Sequence, residues 1–442
     1  VKVLIVENDP DVGCGALNLA IRAKSYDHGV RLFMRTTERN KFVGKGLVNR
    51  VADLDSNIGW CDFIFNCDNS KYLGSMERAR NLGKIVISAT PETAKWELDR
   101  GYGMEILKKA KVQIPESQLF ADYNKAIAYV KKTMKRCVSK PNGDADKDLS
   151  YCAKSPADLV YMLERWKKSN KLKSSFFIQD FIPGVEMAVG GWFGPGGFNQ
   201  GFCENFEFKK LMNGDIGVAT GEMGTVLRYV RTSKLADKVL LPLVPQLEKA
   251  QYCGYIDVNC IIDEEGSPWP LEFTTRPGWP TFNIQQELHD GDPIEWMVAL
   301  ANGEDLKASR MNEIAVGVVL AIPDFPYSRL TNKDIVGIPI YNITPSLWPH
   351  IHPCSMMLGQ APMEVKGAIV TCPCPCTAGD YVMVVTASGQ TVVEAKERVY
   401  RRVEKMEIPN NLMYRTDIGS RLQKQLPKVQ LHGYAKGMQY RS

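Results

Sequence analysis

The chain has 442 residues, 44% of them hydrophobic and 24% charged, the balance of a globular protein that buries large cores without staples. At roughly 150 residues per domain it predicts two to four domains. A formal charge of +5 without blocks of like charge does not by itself select nucleic acid, and no apolar run reaches the roughly 18 residues of a membrane span. Val1–Val6 carries no leader pattern and the twelve cysteines no secreted framework, so a cytoplasmic protein with reduced thiols is expected.

Val1–Val6 reads as a buried parallel strand, Glu7-Asn-Asp-Pro-Asp-Val-Gly13 as a turn and Leu17–Lys24 as a helix. Asp62–Asn66 and Lys84–Ser88 are strands with a helix, Ser75–Leu82, between them. This alternation predicts a parallel sheet with ligands at the strand C-termini. Trp96–Lys111 and Tyr123–Lys135 read as helices, and Arg136–Lys140 as a strand ending on a Lys beside a polar loop that carries Lys147. Two lysines so placed either grip a polyphosphate or are ordinary surface residues. Pro156–Lys168 is a helix, Ser175–Ile182 a strand and Val185–Trp192 its return after Pro183-Gly184. The Gln179-Asp180 step with Glu186 fits either an adenosine site or a plain hairpin. Asn205–Lys210 leads into the glycine-spaced Gly214–Gly224, where backbone amides can approach a ligand. Ser233–Gln251 is helical with breaks near Pro242 and Pro245.

Cys253–Gly278 reads as two short strands joined by a Gly turn, with Asn259 in the first and Glu272 in the second. Side chains alternate with period two, so both can point at one spot. Together with Thr274 and Arg276 they suit a hard cation holding phosphates, or else a polar hairpin facing water. Glu313–Ile322, Gly367–Val370 and Tyr381–Thr386 form a last β-rich part, crossed by the helix Val392–Lys405. Cys372-Pro-Cys-Pro-Cys376 lies near His350, His352 and Cys354. Zinc could use such a set, but the two-residue spacing favours an edge strand with buried thiols. Arg415, Lys424, Lys428, Lys436 and Arg441 make the C-terminal end basic, which reads as a solvated tail or a binding arm.

The order of Lys at a strand end, loop, Gln-Asp-Phe-Ile strand with Gly-x-Glu after it, Gly-rich loop and metal-type strand pair resembles the ATP-grasp fold. The wider chain resembles phosphoribosylamine-glycine ligase through Thr220-Gly-Glu-Met-Gly224, Leu271-Glu-Phe-Thr-Thr-Arg276, Val385–Ala395 and Tyr414-Arg-Thr-Asp-Ile-Gly419. The resemblance implies an α/β protein, α+β in its central part. Its expected divisions are an N-terminal parallel αβ domain over 1–92, a two-lobed ATP-grasp domain over 93–312 with 116–182 as the smaller nucleotide-covering lobe, and a C-terminal β-rich domain over 313–442. It implies an ADP-forming ligase that uses ATP and Mg2+ to join an amino acid to an amine through an acyl phosphate, as a monomer or homodimer. By analogy Lys140 and Lys147 reach ATP phosphates, the Gln179, Asp180, Phe181 and Ile182 backbone takes adenine, and Glu186 takes ribose. Glu272, Asn259 and Thr274 hold metal, and Arg276 acts in catalysis with Lys209 and Glu207. Asp215, Gly217, Thr220, Gly221, Gly224, Arg415 and Asp417 border the substrate.

The departures bear on substrate. Glu7-Asn-Asp-Pro-Asp replaces a glycine-rich loop with His and Arg, and Cys67–Leu73 replaces a Pro-Glu-Ala-Pro-Leu turn. Acidic side chains there repel a ribosyl phosphate, so an amine other than phosphoribosylamine is expected. The purine-pathway ligase itself, a nucleotide-binding homologue with weakened turnover, and a ligase for a modified nucleobase follow in that order.

Overall fold

The structure is a computed structural model that describes residues 1–7, 15–142, 150–169, 175–327, 332–409 and 411–441. Lys2–Glu7 buries five consecutive side chains because it is the middle strand of a parallel sheet covered on both faces. Across that sheet run Arg50–Val51, Gly29–Met34, Lys2–Glu7, Phe63–Asn66 and Ile85–Ile87, each neighbouring pair parallel. Gly29–Met34 is missing from the sequence-based expectation. Arg31 interrupts its apolar run, and only its last three residues are buried.

The single helix predicted over Trp96–Lys111 is two helices, Pro91–Leu98 and Arg100–Lys109. Asp99 is extended, with φ −113° and ψ 96°, and its side chain accepts from Tyr102 N at 3.1 Å as the second helix's N-cap. Gly103 permits the tight corner, since a Cβ there would stand 2.2 Å from Trp96 O. The break turns Arg100 toward the hairpin at the centre of the molecule.

The smaller lobe is a four-stranded sheet ordered Ser117–Phe120, Phe176–Asp180, Cys137–Pro141, Tyr151–Cys152. Helices Tyr123–Thr133 and Pro156–Lys168 cover it, burying Tyr123, Ala126, Val130, Leu159, Leu163 and Trp166 against Phe176 and Ile178. The main sheet has eight strands, ordered Pro268–Thr274, Gly254–Ile262, Val185–Gly194, Gly197–Glu207, Gly224–Val230, Ile314–Ala321, Tyr381–Gly389, Ile351–Pro353. It runs without interruption across residue 312, because Gly224–Val230 pairs antiparallel with Ile314–Ala321.

The expectation of a solvated basic tail is overturned. Leu422–Leu431 is a helix that buries Leu422, Leu426 and Val429, and Tyr434, Ala435 and Met438 are buried after it. Apolar residues at i, i+4 and i+7 give the segment a face to bury while Lys424, Lys428 and Lys436 stay exposed. Cys374 and Cys376 are buried in a hairpin of Met356–Val365 with Ala368–Thr377, and Cys372 is half-buried. His350 pairs with Glu287 at 2.9 Å, His352 with Thr386 at 2.8 Å, and Cys354 accepts from Asn283 at 3.4 Å.

His289 is held at about 3 by burial and by Arg22 and Arg310, and burial also keeps His352 well below the ordinary imidazole value. A group whose folded pKa is depressed contributes stability above its unfolded pKa and loses it as pH falls toward the folded one. Stability is therefore expected to drop below pH 6.5, by about 1.4 kcal/mol per pH unit for each such histidine. Urea unfolding of wild type and His289→Phe at pH 7 and pH 5 checks this, the variant showing the shallower loss. Equal slopes would contradict it.

Candidate active site

The hairpin Gly254–Ile262 with Pro268–Thr274 sets Asn259 directly opposite Glu272 and Asp257 opposite Thr274. Alternation then puts these side chains on one face. Three carboxylates converge there on one ammonium: Lys209 Nζ lies 2.9 Å from Glu186 Oε1, 3.0 Å from Glu207 Oε2 and 3.5 Å from Glu272 Oε1. Asn259 Nδ2 donates to Glu186 Oε1 and Glu207 Oε2, both at 2.9 Å. Arg100 closes the other side, with Nη2 donating to Glu272 Oε2 at 3.1 Å and Nη1 to Leu271 O at 2.9 Å.

The charges shift one another. Burial favours protonated Glu272, but Lys209, Arg100 and Lys140 overcome it and hold the carboxyl well below its usual range. Glu186 is likewise lowered against burial by Lys209 and Asn259, whereas burial and Glu186 raise Glu207 despite Lys209. The carboxylates raise Lys209 well above the ordinary lysine value in spite of its burial. Lys140, on the strand Cys137–Pro141 of the smaller lobe, is brought down to about 7 by burial and by Arg100. Glu272 and Glu186 oppose that shift without offsetting it, and a polyphosphate would supply the further negative charge.

A cavity of about 250 Å³ opens on this cluster, lined by Glu97, Arg100, Glu207, Lys209, Glu222, Glu272, Thr274, Arg276 and Trp279 among others. Arg276 faces the N-terminal sheet, with Nη2 3.1 Å from Glu97 Oε1. Glu97 also accepts from Thr275 N at 2.7 Å and Asn69 Nδ2 at 2.8 Å. Glu97, then Glu7 and Asp68, raise the Arg276 pKa, so the strand C-termini present acid to this guanidinium.

Hard oxygen donors for a cation are present. Glu272 is ionised, and Asn259 Oδ1 is buried beside it without a partner among the described residues. No three His, Cys, Asp or Glu side chains among the described residues are arranged to hold a metal, so part of a coordination shell would come from phosphate and water. The donor set fits a hard dication bound together with a phosphate chain.

The remaining sequence-predicted residues fall in three places. Gln179 is buried in the strand Phe176–Asp180, and the N–H groups of Asp180 and Phe181 are committed to Glu116 O and Arg136 O at 3.0 Å each. The four-residue stretch assigned to adenine thus has two of its donors engaged within the lobe. Arg415 is buried in a bidentate pair with Asp417, at 2.8 and 2.9 Å, and also binds Asp215 at 2.9 Å. Gly214 N donates to Asp417 at 2.8 Å. These residues clamp the flap formed by Lys210–Met212 and Ile216–Ala219, on which Gly217 sits at φ +85°. Thr220 donates its hydroxyl and its N–H to Lys209 O, both at 2.8 Å, and so positions that lysine's backbone. A Cβ at Gly224 would stand 2.5 Å from Gly317 O, and one at Gly221 would stand 3.3 Å from the Trp279 ring. Lys147 lies outside the described residues.

Sequence reasoning missed Arg100, Glu97, Glu222 and Trp279. Asp99 followed by glycines at 101 and 103 was the available signal for a helix start before Arg100.

The family model for the phosphoribosylglycinamide synthetase ATP-grasp (A) domain matches residues 99–281. A phosphoribosylamine–glycine ligase of Neisseria meningitidis serogroup B is 24% identical over 365 residues, covering 79% of this chain and 81% of that protein. Among solved structures, the phosphoribosylamine–glycine ligase of Thermotoga maritima superposes with a TM-score of 0.72 at 19% identity, over 95% of this chain and all of that one. The biotin carboxylase domain of the Hydrogenobacter thermophilus 2-oxoglutarate carboxylase, solved with MgADP, gives 0.63 at 13% identity over 100% and 96% of the two chains. Residues 99–281 thus match an ATP-grasp domain, in a chain that is similar over most of its length to a carbon–nitrogen ligase. Within that class the chain resembles phosphoribosylamine–glycine ligase. No helix among the described residues is long and apolar enough to cross a membrane.

Proposed function

We propose that this chain uses ATP to activate the carboxylate of an amino acid such as glycine as an acyl phosphate, and joins it to an amine other than phosphoribosylamine. The observation that carries this reading is the meeting of Arg100 and Lys209 with ionised Glu272 at one cavity, with Lys140 near enough to act on the same carboxylate. Lys140 and Arg100 grip the phosphates, the stretch Gln179–Ile182 takes adenine through backbone groups other than the Asp180 and Phe181 N–H, and Glu186 takes the ribose. Glu272, Asn259 Oδ1 and the Thr274 hydroxyl would hold Mg2+, which offsets triphosphate charge and polarises the transferred group.

A carboxylate is a poor electrophile until one of its oxygens carries a good leaving group. Lys209 and Arg276 draw the acid toward the γ-phosphorus, its oxygen bonds to phosphorus, and ADP leaves. The amine nitrogen then bonds to the acyl carbon, phosphate leaves, and the amine loses a proton. Lys209 and Arg276 offset charge that builds on the acyl and phosphoryl oxygens, the largest kind of catalytic term available to fixed side chains.

The altered amine is supported by Glu97, Glu7 and Asp68 acting on Arg276 at the N-terminal strand ends, where acid opposes a sugar phosphate. The competing reading, the purine-pathway ligase itself, is favoured by the match over four-fifths of a relative's length. Rescue of a purine-requiring strain that lacks the pathway enzyme would favour the competitor.

Incubation with ATP, Mg2+, single amino acids and hydroxylamine should yield a hydroxamate and ADP; no ADP with any acid sinks the proposal. Lys140→Met should raise the KM for ATP about 10- to 100-fold, the worth of a charge-assisted bond to phosphate. An unchanged KM would remove Lys140 from the phosphate site.

A further inference from the structure

Three buried polar atoms of the cavity's lining residues have no hydrogen-bond partner among the described residues: Arg100 Nε, on a guanidinium already bound to Glu272, and Glu222 Oε1 and Trp279 Nε1, whose groups have no such tie. Glu222 is 2% exposed and lines the same cavity as Lys209, Glu272 and Arg276. Buried polar groups nearly always have a partner, because leaving one unmatched forfeits its hydration without return. Two such atoms, one an acceptor and one a donor, lining one cavity describe a ligand that completes both.

Their surroundings narrow the chemistry. Burial, then Glu207, Asp257 and Glu186, raise the Glu222 pKa well above the ordinary carboxyl value despite Lys209, so an ammonium seated on its unmatched oxygen would supply the counter-charge that this carboxyl lacks. The two groups are also held in place. Gly221 leaves room for the Trp279 ring, which stands edge-on to Tyr381 with centroids 3.8 Å apart. The Tyr381 hydroxyl in turn donates to Glu222 O at 3.4 Å. A ligand with an ammonium for Glu222 and an oxygen for the indole N–H carries both charges of an α-amino acid. The cavity of about 250 Å³ suits a small one.

We propose that Glu222 and Trp279 are the specificity determinants of this site, holding a small α-amino acid as its zwitterion, with the ammonium on Glu222 and one oxygen of the same molecule accepting from Trp279 Nε1. This rests on the ligase reading and names the residues that select the acid it activates. An acid without the amino group leaves Glu222 unmatched, and a site built around a buried polar group rejects the analogue that lacks its partner.

Calorimetric titration of the full chain in the presence of MgADP tests this, with glycine and L-alanine set against glycolate and lactate. Wild type should bind the amino acids at least about 100-fold more tightly than the matching hydroxy acids. Glu222→Gln should weaken glycine at least about tenfold with MgADP affinity unchanged, Glu222→Asp should keep the preference, and Trp279→Phe should weaken glycine while keeping the ring. Equal binding of glycine and glycolate, no binding of either, or unaltered glycine binding by folded Glu222→Gln would overturn the proposal. Wild type that discriminates yet forms no ADP with any amino acid would sink the ligase reading and leave this assignment standing.

Discussion

Glu272→Ala is expected to lower ATP-dependent turnover by at least about 100-fold, and toward about 1,000-fold where charge on the transferred group is greatest. Among the described residues Glu272 is the one carboxylate that meets both Lys209 and Arg100, at 3.5 and 3.1 Å, and it stands opposite the unmatched oxygen of Asn259. Losing it would remove the anionic ligand proposed for a dication and free two cations from their alignment. The side chain is 42% exposed toward the cavity, so the folded state should survive, and circular dichroism with MgADP titration separates lost chemistry from lost structure. Glu272→Gln should resemble the Ala variant in kcat, because it keeps shape and removes charge. Unchanged ADP release from either variant would show that the metal and phosphate assignment is wrong.

The second large effect concerns stability. Arg228 and Glu204 form a pair on adjacent strands with both side chains 3% exposed, the guanidinium reaching Glu204 Oε2 at 2.9 and 3.1 Å. Arg228 Nη2 also donates to Lys436 O at 2.7 Å, and Glu204 Oε1 accepts from Ser233 at 2.7 Å. Removing one partner strands the other as a buried charge, which costs about 3–5 kcal/mol. Arg228→Ala should therefore lower unfolding free energy by that amount in urea titration and loosen the C-terminal segment. The double variant Glu204→Leu with Arg228→Met should recover much of the loss, since an apolar pair leaves no charge behind. A single-variant loss below about 1 kcal/mol would show that water reaches the pair.

These two sites differ in how they could be read. Period-two alternation was enough to set Asn259 and Glu272 on one face, and the structure pairs them residue for residue. Lys140 at the end of its strand is also where the sequence put it. Such features are local, or lie one turn apart, so chain geometry fixes them. Arg100 reaches Glu272 across 172 residues, and only after a helix break that the periodicity of Trp96–Lys111 conceals. Glu204 and Arg228 lie in strands whose neighbours are revealed by the sheet order alone.

The C-terminal end makes the same division from the other side. Its lysines advertise a solvated tail, while the spacing of Leu422, Leu426 and Val429 specifies a buried face. The sequence by itself determined the alternation of strands and helices, the hairpin that sets Asn259 beside Glu272 and the strand end that carries Lys140, because these depend on near neighbours and backbone period. Only the tertiary structure decided that three carboxylates share one lysine, that Arg100 and Lys140 face them from different elements, and that Glu222 and Trp279 are left unmatched in the cavity. Electrostatic and packing partners are set by distance through space, which the order of residues along a chain does not record.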